Sequence, residues 1–579
     1  MQPDNFLEVS FEVANKVGGI HQVLKSKAGK MKQQYGENYV AIGRYDPESD
    51  NSEFVPRECP QFAENLTDLE GIEIHCGVWN VPGSPRCILV DPSGMEKDIE
   101  EIKQELWEEH GIDSMNAGHD FDEPVKWSYA VGKVVEKLAE NMEGETVVQA
   151  HEWLSGPAIL NNDLPSVFTT HATFLGRVLS NSDYDLESAV EEGNIDQSRA
   201  EQHGVKCKHQ MEKTSASEAD VFTTVSQNTG REAEAVLETK PDVILPNGFN
   251  VEDFPSLEEL SYEHKKKKQN VKEFLRAYFK PYYDVDLEND PRILFTSGRY
   301  EFRNKGVDVF IDALSKLNQQ EGEDFFVFIL VPTDTKGPNK EILENVSLYD
   351  ELDDYIESVL PEVRSRMLDT LTSGDKVVDE LEEIFSDNSA TLDSLRKNFM
   401  AKEGRPPLSA FELNYAEDEI LETLWEKGLR NREEDRVKVV FYPTYLSVGD
   451  RLLSMDYNDF MVASSAGIFP SYYEPWGYTP VETAANGALS ITTDMAGFGK
   501  YLKENSVEEE RKGIKVLERA GREDEEVSED LAQMLDDFVS YEKTEITERK
   551  HNARKLAQLT SWNKLAENYF EAHSKALGE

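Results

Sequence analysis

A chain of 579 residues is longer than one hydrophobic core organises, so two domains plus an insertion are expected. Hydrophobic residues make up 39% and aromatics 10%, which supplies packed cores and argues against wholesale disorder. Against 61 basic residues stand 113 acidic ones, and the net charge of −52 repels a phosphate backbone and disfavours general nucleic-acid binding.

The acidic excess is spread along the chain rather than gathered in a tail. It reads as a solvated surface suited to a salt-rich cytoplasm, where ions screen self-repulsion; an acidic protein of an ordinary cytoplasm is the alternative. Cys59, Cys76, Cys87 and Cys207 show no ligand spacing and read as reduced, mostly buried thiols, with a disulfide or structural zinc the weaker reading. Glu8 and Glu12 interrupt the early apolar stretch, so no signal peptide is expected. The run "FFVFILV" (325–331) is far short of a membrane span. A soluble, cytoplasmic protein is expected.

In chain order, apolar or β-branched runs recur at 6–11, 38–43, 146–150, 166–170, 220–226 and 243–248, separated by polar loops and helical patterns. A second series follows at 292–298, 325–331, 437–443, 466–471 and 488–493. Strands buried on both faces and alternating with helices predict parallel sheets, hence two doubly wound α/β domains, 1–270 and 271–579. The polar stretch "YEHKKKKQN" (262–270) lies near their junction. Between the second and third runs of the later series, Leu352, Ile356, Leu360, Val363 and Met367 recur at helical spacing, and Leu381, Ile384, Phe385 and Leu392 partly continue it. That predicts a helical insertion over about 340–432, whose apolar stripe packs either on its own domain or on another subunit.

Polar groups gather where these strands end. "EVANKVGGI" (12–20) sets Gly18 and Gly19, beside Lys16, between the first strand and a helix, which suits a close backbone approach to an anion or merely a tight turn. "HEWLSG" (151–156) and "TTHATFLGR" (169–177) place His151, Glu152, His171 and Arg177 at two more ends, where a histidine is either catalytic or a structural hydrogen-bonder. "SGRYEFRNKG" (297–306) brings Arg299 and Lys305 to the first strand end of the second domain; two cations there suit a diphosphate, or surface ion pairing. "SYYEPWGYTPVE" (471–482) holds Glu474 and Glu482 in a frame of aromatics and prolines. Two such edges facing each other would make a cleft fit for a sugar-nucleotide transferase.

In order and spacing, "FEVANKVGGI", "HEWLSG", "FTTHATFLGR", "VFTTVSQ", "PDVILPNGFNV", "GRYEFRNKGVDVF", "DRVKVVFYP" and "FPSYYEPWGYTPVE" resemble the eukaryotic-type glycogen synthases, from about residue 8 to "LTSWNKLAENYF". The resemblance implies a GT-B fold, two Rossmann-like domains facing across a cleft, and a retaining glucosyltransferase using UDP-glucose. It places Glu474 against the donor glucose, Glu482 on the donor ribose, Arg299 and Lys305 on the diphosphate, His171 beside the donor sugar and Arg177 nearby. It further implies that Tyr457 stacks on the uracil, that Lys16, Gly18 and Gly19 form a donor-phosphate loop, and that Gly497 and Gly499 supply backbone contacts. Front-side displacement assisted by the leaving phosphate is preferred to a covalent Glu474 intermediate, and no metal or other cofactor is expected.

C-terminal helices over about 530–579 are expected to pack back on the first domain. The insertion matches the family's subunit-contact arm, which favours a homo-oligomer, a tetramer being one form such an arm allows. In the helix that senses a sugar phosphate in the family, only Lys543, Arg549, Lys550, Arg554 and Lys555 remain basic here, which argues against sugar-phosphate activation; phosphorylation control is not expected. Glucan and a nucleotide sugar are the expected partners, with no nucleic acid and no membrane. The alternatives are a GT-B enzyme using another nucleotide sugar such as ADP-glucose or a small acceptor, and a non-catalytic glucan-binding scaffold.

Overall fold

The computed structural model describes all residues except 1, 17, 48–51, 65, 67, 68, 70, 183, 374–388, 401, 416, 507–511 and 579. The first series of runs forms β1 (Asn5–Val9), β2 (Tyr39–Arg44), β3 (Phe54–Pro56), β4 (Glu73–Trp79), β5 (Arg86–Asp91), β6 (Thr146–His151), β7 (Ser166–Thr170), β8 (Val221–Thr224) and β9 (Val243–Ile244). They make one sheet in the order β3-β4-β5-β2-β1-β6-β7-β8-β9, parallel except where β3 and β4 join antiparallel at one edge. The central strands β1, β6, β7 and β8 are buried along their whole length, because helices cover both faces of the sheet.

The second series continues with β10 (Arg292–Ser297), β11 (Phe325–Leu330), β12 (Thr335–Pro338), β13 (Phe411–Leu413), β14 (Val437–Phe441), β15 (Ala466–Ile468), β16 (Leu489–Thr493) and β17 (Ile514–Leu517). Six of them form an all-parallel sheet, β14-β11-β10-β15-β16-β17, while β12 and β13 pair separately. Each sheet carries its own apolar core. These are the two doubly wound α/β sheets expected from the run pattern, in the two-domain arrangement that the resemblance implies.

The loops that leave the carboxyl ends of the two sheets meet. Asn304 Nδ2 donates to Ser180 Oγ at 3.0 Å and to Asn181 Oδ1 at 2.8 Å, and Asn228 Nδ2 donates to the carbonyls of Asp494 and Met495. Parallel strands put all their carboxyl ends on one edge, so two such edges in contact create the cleft.

Four expectations change. The lysine-rich stretch at 262–270 is no linker: it lies within the single helix Leu257–Phe279, which runs through the division placed at 270. Lys267 pairs with Asp459, His264 reaches the Val462 carbonyl, and Val271, Phe274 and Tyr278 pack under the second sheet. The positive run was misleading because its partners are acids far along the chain. Of the C-terminal helices, Asp524–Ser540 stays on the second core and Trp562–Ala576 crosses to the first, under Phe6 and Tyr39.

The insertion is helical over Lys340–Ser373 and again over 389–399, and then gives β13, which pairs back with β12 ahead of the long helix, and the short helix Glu419–Glu426. Leu381, Ile384 and Phe385 lie outside the described residues. Lastly, Cys59 and Cys76 form a disulfide, their Cα atoms 5.1 Å apart, where four thiols were expected. Only the antiparallel return of β4 past the preceding loop brings them together, which no spacing rule encodes. Cys87 and Cys207 are free. Among the described residues, no helix is long and apolar enough to cross a membrane.

Candidate active-site cleft

On the first sheet the site is built around the loop His171–Phe174, between β7 and the helix Phe174–Ser180. Three carboxylates from three other elements accept its backbone protons. His171 N donates to Glu152 Oε1 at 2.9 Å, Thr173 N to Glu232 Oε1 at 3.2 Å, and Phe174 N to Glu212 Oε2 at 2.8 Å. Thr173 Oγ1 caps the helix by accepting from Gly176 N. Glu152 holds a left-handed backbone, φ 65°, at a cost of about 1 kcal/mol or more for a residue with a Cβ. Burial pushes its carboxyl up to about 7, and burial together with the neighbouring Glu152 charge holds Glu212 well above the ordinary range. The loop is thus fixed before any ligand arrives.

Behind it, His171 Nε2 lies 3.0 Å from His151 Nδ1, whose other ring nitrogen reaches Glu8. Arg177 sits at the crossing point: its charge acts on Glu12, Glu152 and Glu232 of its own half and on Glu301 and Tyr473 of the other.

On the second sheet, β10 ends at Ser297 and the chain turns through Arg299 to Lys305. Lys305 Nζ forms an ion pair with Glu474, both side chains partly exposed at 16% and 20%. Arg299 stands 63% exposed with Glu301 at 3.1 Å. Gly306, φ 68°, follows Lys305 because a Cβ there would meet the Pro470 carbonyl at 2.0 Å. The frame around Glu474 is equally tight. Gly497 N donates to the Glu474 carbonyl at 3.0 Å and Phe498 N to the Trp476 carbonyl at 2.8 Å, so "EPW" and "AGF" run side by side. Tyr473 OH donates to Glu232 at 3.0 Å, tying this frame to the first sheet's loop. Tyr457 OH and Ser297 Oγ are 2.6 Å apart. Glu482 lies near enough for its charge to act on Tyr457, and burial raises its carboxyl to about 7.

Two expected ligand contacts are taken by the protein itself. The Gly18 amide, expected to face a phosphate, donates to Glu12 Oε2 at 2.9 Å, and His21 N donates to the same oxygen at 2.8 Å. A Cβ on Gly18 would meet Glu12 Oε1 at 2.7 Å, so this glycine makes room for the carboxylate. Gly19 has open space around it and Lys16 is exposed. Likewise the Gly497 amide holds Glu474 in place, and Gly499 is required by the approach of the Thr493 carbonyl.

A cavity of about 1100 Å³ opens between the halves, with Tyr472, Tyr473 and Glu474 on one wall and Asn228, Thr229 and Arg231 on the other. A second, of about 540 Å³, gathers Lys265, Lys268, Lys272 and Arg292 with Lys543 and Lys550, and burial followed by the Lys268 charge brings Lys550 down to about 7. Two of the sparse basic residues of the helix Lys543–Ala557, Lys543 and Lys550, therefore join cations supplied by Leu257–Phe279. Among the described residues, one group has metal-ligand proximity, Glu73, His75 and Asp91 on β4 and β5.

Sequence reasoning missed Lys27, Tyr39, Glu212 and Glu232, and read Glu8 and Glu12 only as interruptions. One signal was available: an acid at position 8, inside an otherwise apolar strand, demands a buried partner.

The family model described as glycogen synthase matches residues 8–579. Liver glycogen [starch] synthase of Rattus norvegicus is 32% identical, over 98% of this chain and 83% of its own. Glycogen [starch] synthase isoform 1 of Saccharomyces cerevisiae is 31% identical, over 100% and 86%. Among solved structures, the catalytic domain of starch synthase IV from Arabidopsis thaliana, bound to ADP and acarbose, covers 99% of both chains with a TM-score of 0.52 at 13% identity, a likeness of fold. The match over the whole length, with both strand-tip constellations in place, makes this chain a member of the glycogen synthase family, hexosyltransferases of GT-B fold.

Proposed function

We propose that this chain transfers glucose from UDP-glucose, with retention, to the non-reducing end of an α-1,4-glucan. The observation that carries this is the Lys305–Glu474 pair, with Arg299 beside it, at strand tips that abut the His171 loop. Arg299 and Lys305 grip the diphosphate: a dianionic group displaces Glu301 and Glu474 as their partners, and releases Glu474 toward the sugar. The bond from C1 to the leaving phosphate breaks, the acceptor hydroxyl oxygen bonds to C1 on the same face, and its proton passes to the departing phosphate. The fixed Glu474 carboxylate stabilises the positive charge that develops at C1, and its frame costs little freedom on binding. The two cations carry the leaving charge, so no metal has a part in this scheme. Tyr457 stacks on the base and Glu482 accepts from the ribose hydroxyls.

The enzyme works in the cytoplasm as a homo-oligomer. Ile356, Leu360, Leu368 and Leu371 lie exposed along the helix Lys340–Ser373, the stripe expected of a subunit contact. Leu360→Asp with Leu368→Asp should shift the sedimentation profile to a smaller species; an unchanged profile removes this contact. The net charge of −52 suits high salt, and activity should rise from low to molar KCl.

Incorporation of labelled glucose into glycogen from UDP-glucose, measured in molar KCl, tests the activity. Preference for ADP-glucose changes the donor and keeps the mechanism, and incorporation from neither refutes the glucan assignment.

A further inference from the structure

A buried polar chain runs from the core of the first sheet to the cleft, and nothing in the transfer chemistry above uses it. Glu8 on β1 and Lys27 on the helix Gly19–Tyr35 form an ion pair in which both side chains are 0% exposed. Glu8 Oε2 accepts from Tyr39 OH at 2.6 Å, and Glu8 Oε1, which contacts Lys27, lies 3.0 Å from His151 Nε2. His151 Nδ1 is in turn 3.0 Å from His171 Nε2. A fully buried charge pair is costly to keep, and two hydrophobic residues would serve the fold as well. Its retention at the root of this chain calls for a reason.

The direction of every proton in the chain follows from its first member. Burial alone would raise the Glu8 carboxyl, but Lys27, His151 and their hydrogen bonds bring it down to about 2, so Glu8 is a carboxylate that only accepts. His151 Nε2 must therefore carry the proton. Burial keeps His151 below its ordinary range and hence neutral, which leaves Nδ1 a bare acceptor. His171, also held neutral by burial and then by its cationic neighbours, must donate from Nε2 to that acceptor. Its Nδ1 is left unprotonated. His171 is 7% exposed, and among the described residues Nδ1 has no partner.

We propose that Glu8 and His151 are positioning residues that lock His171 in its Nε2–H tautomer, so that its free Nδ1 accepts the hydrogen of one hydroxyl of the donor sugar. The hydroxyl part rests on the function proposed above; the tautomer part does not. A histidine with unfixed tautomers would offer a donor half the time, and could hold a fluorine or a carbonyl where this one holds only a hydroxyl. Lys27 keeps Glu8 ionised and Tyr39 fills its second oxygen, so the carboxylate has no freedom to turn away.

Nitrogen-15 NMR of histidine-labelled protein, with His171→Phe to assign the signal, reads the tautomer in the wild-type chain without any change to Glu8. Protonated Nε2 and bare Nδ1 on His171 are expected; a protonated Nδ1 overturns the proposal. Kinetics read the second half. UDP-glucose and its series of monodeoxy and deoxyfluoro analogues are compared in the wild type and in His151→Phe. Removing one hydroxyl should lower kcat/KM by about tenfold in the wild type, the worth of one hydrogen bond; replacing it by fluorine, which accepts but cannot donate, should cost as much in the wild type and less in His151→Phe. An equal cost of fluorine in both proteins at every hydroxyl overturns the coupling. If His151→Phe does not fold, Glu8→Leu with Lys27→Met removes the same lock without stranding a charge, while Glu8→Gln keeps an accepting oxygen toward Lys27 and His151 and should restore the coupling. A bare Nδ1 in a chain that uses no nucleotide glucose sinks the functional assignment and leaves the tautomer lock intact.

Discussion

The two strand edges that meet at the cleft treat charge in opposite ways. On the first sheet, Glu8, Lys27, His151, Glu152, Glu212 and Glu232 are buried and spend their hydrogen bonds and ion pairs on neighbouring side chains and backbone, while buried His171 leaves only Nδ1 open. On the second, Arg299, Lys305 and Glu474 keep water-exposed surface and are held by single ion pairs. A buried, saturated group cannot change partners without a large cost, whereas a half-exposed pair exchanges readily. On the function proposed above, the first edge therefore shapes the site, with His171 alone reaching the ligand, and the second edge grips what enters it. Glu12 belongs to the shaping side: it occupies the helix terminus at Gly18 that an anion would otherwise fill.

The contrast breaks most visibly in substitutions at either end. Lys305→Ala should lower kcat by roughly 100- to 1000-fold, as for loss of one preorganised charge at a leaving group, with little change in the melting temperature, because the pair it breaks is partly solvated. Glu474→Ala should abolish measurable transfer with the fold intact. Glu8→Ala should do the reverse in the first instance, costing about 3–5 kcal/mol of stability by leaving Lys27 buried without its partner. Calorimetry beside steady-state kinetics separates the two classes. If Lys305→Ala unfolds the protein and Glu8→Ala does not, the division between shaping and gripping is wrong.

Acidity sharpens the same division. The Glu8 carboxyl is depressed to about 2, so its contribution to stability is complete above the ordinary carboxyl range near 4.5 and is lost as pH falls toward 2. The Glu482 carboxyl is raised to about 7, so stability is greatest below about 4.5 for this group and declines as pH rises through 7. The ribose contact proposed for it needs the opposite form, since only the carboxylate accepts from two hydroxyls. The donor KM should therefore fall by about tenfold from pH 6 to pH 8, as the ionised fraction rises. Glu482→Gln should flatten that profile; an unchanged slope would assign the titration to another group, with Glu152 the first alternative.

How much of this could be read from residues alone depended on range. The two sheets were legible because doubly buried strands are continuous apolar runs, as in "FFVFILV" and "SVFTT". The residues proposed to grip the donor stand out in the sequence because they sit within a few positions of a strand end: Lys305 after β10, Glu474 after β15. The shaping residues were not, because each acts on a backbone proton of a distant loop, as Glu232 does on Thr173. The partner of the glycine pair was hidden for a similar reason, since the Glu12 carboxylate returns six residues onto Gly18 only through the turn between them. The cation cavity was invisible to any count within one helix, because Lys268 and Lys550 come from opposite ends of the second half.

The smallest effect tests how far gripping extends along β10. Tyr457 lies at the start of the helix Tyr457–Ala463, and its hydroxyl meets Ser297 Oγ at the tip of the strand that leads to Arg299. Burial, and then the charge of Glu482, hold the phenol above its ordinary range, so it stays a neutral donor throughout the working pH. On the function proposed above, the ring and not the hydroxyl stacks on the base, and the hydroxyl sets the ring's angle. Tyr457→Phe should accordingly raise the donor KM by about threefold, within the worth of one neutral hydrogen bond, and leave kcat unchanged. Tyr457→Ala should raise it further, by the loss of a stacking face worth about 1–3 kcal/mol. Equal KM values for Tyr457→Ala and the wild type would move the base elsewhere in the cleft and confine the grip to the diphosphate.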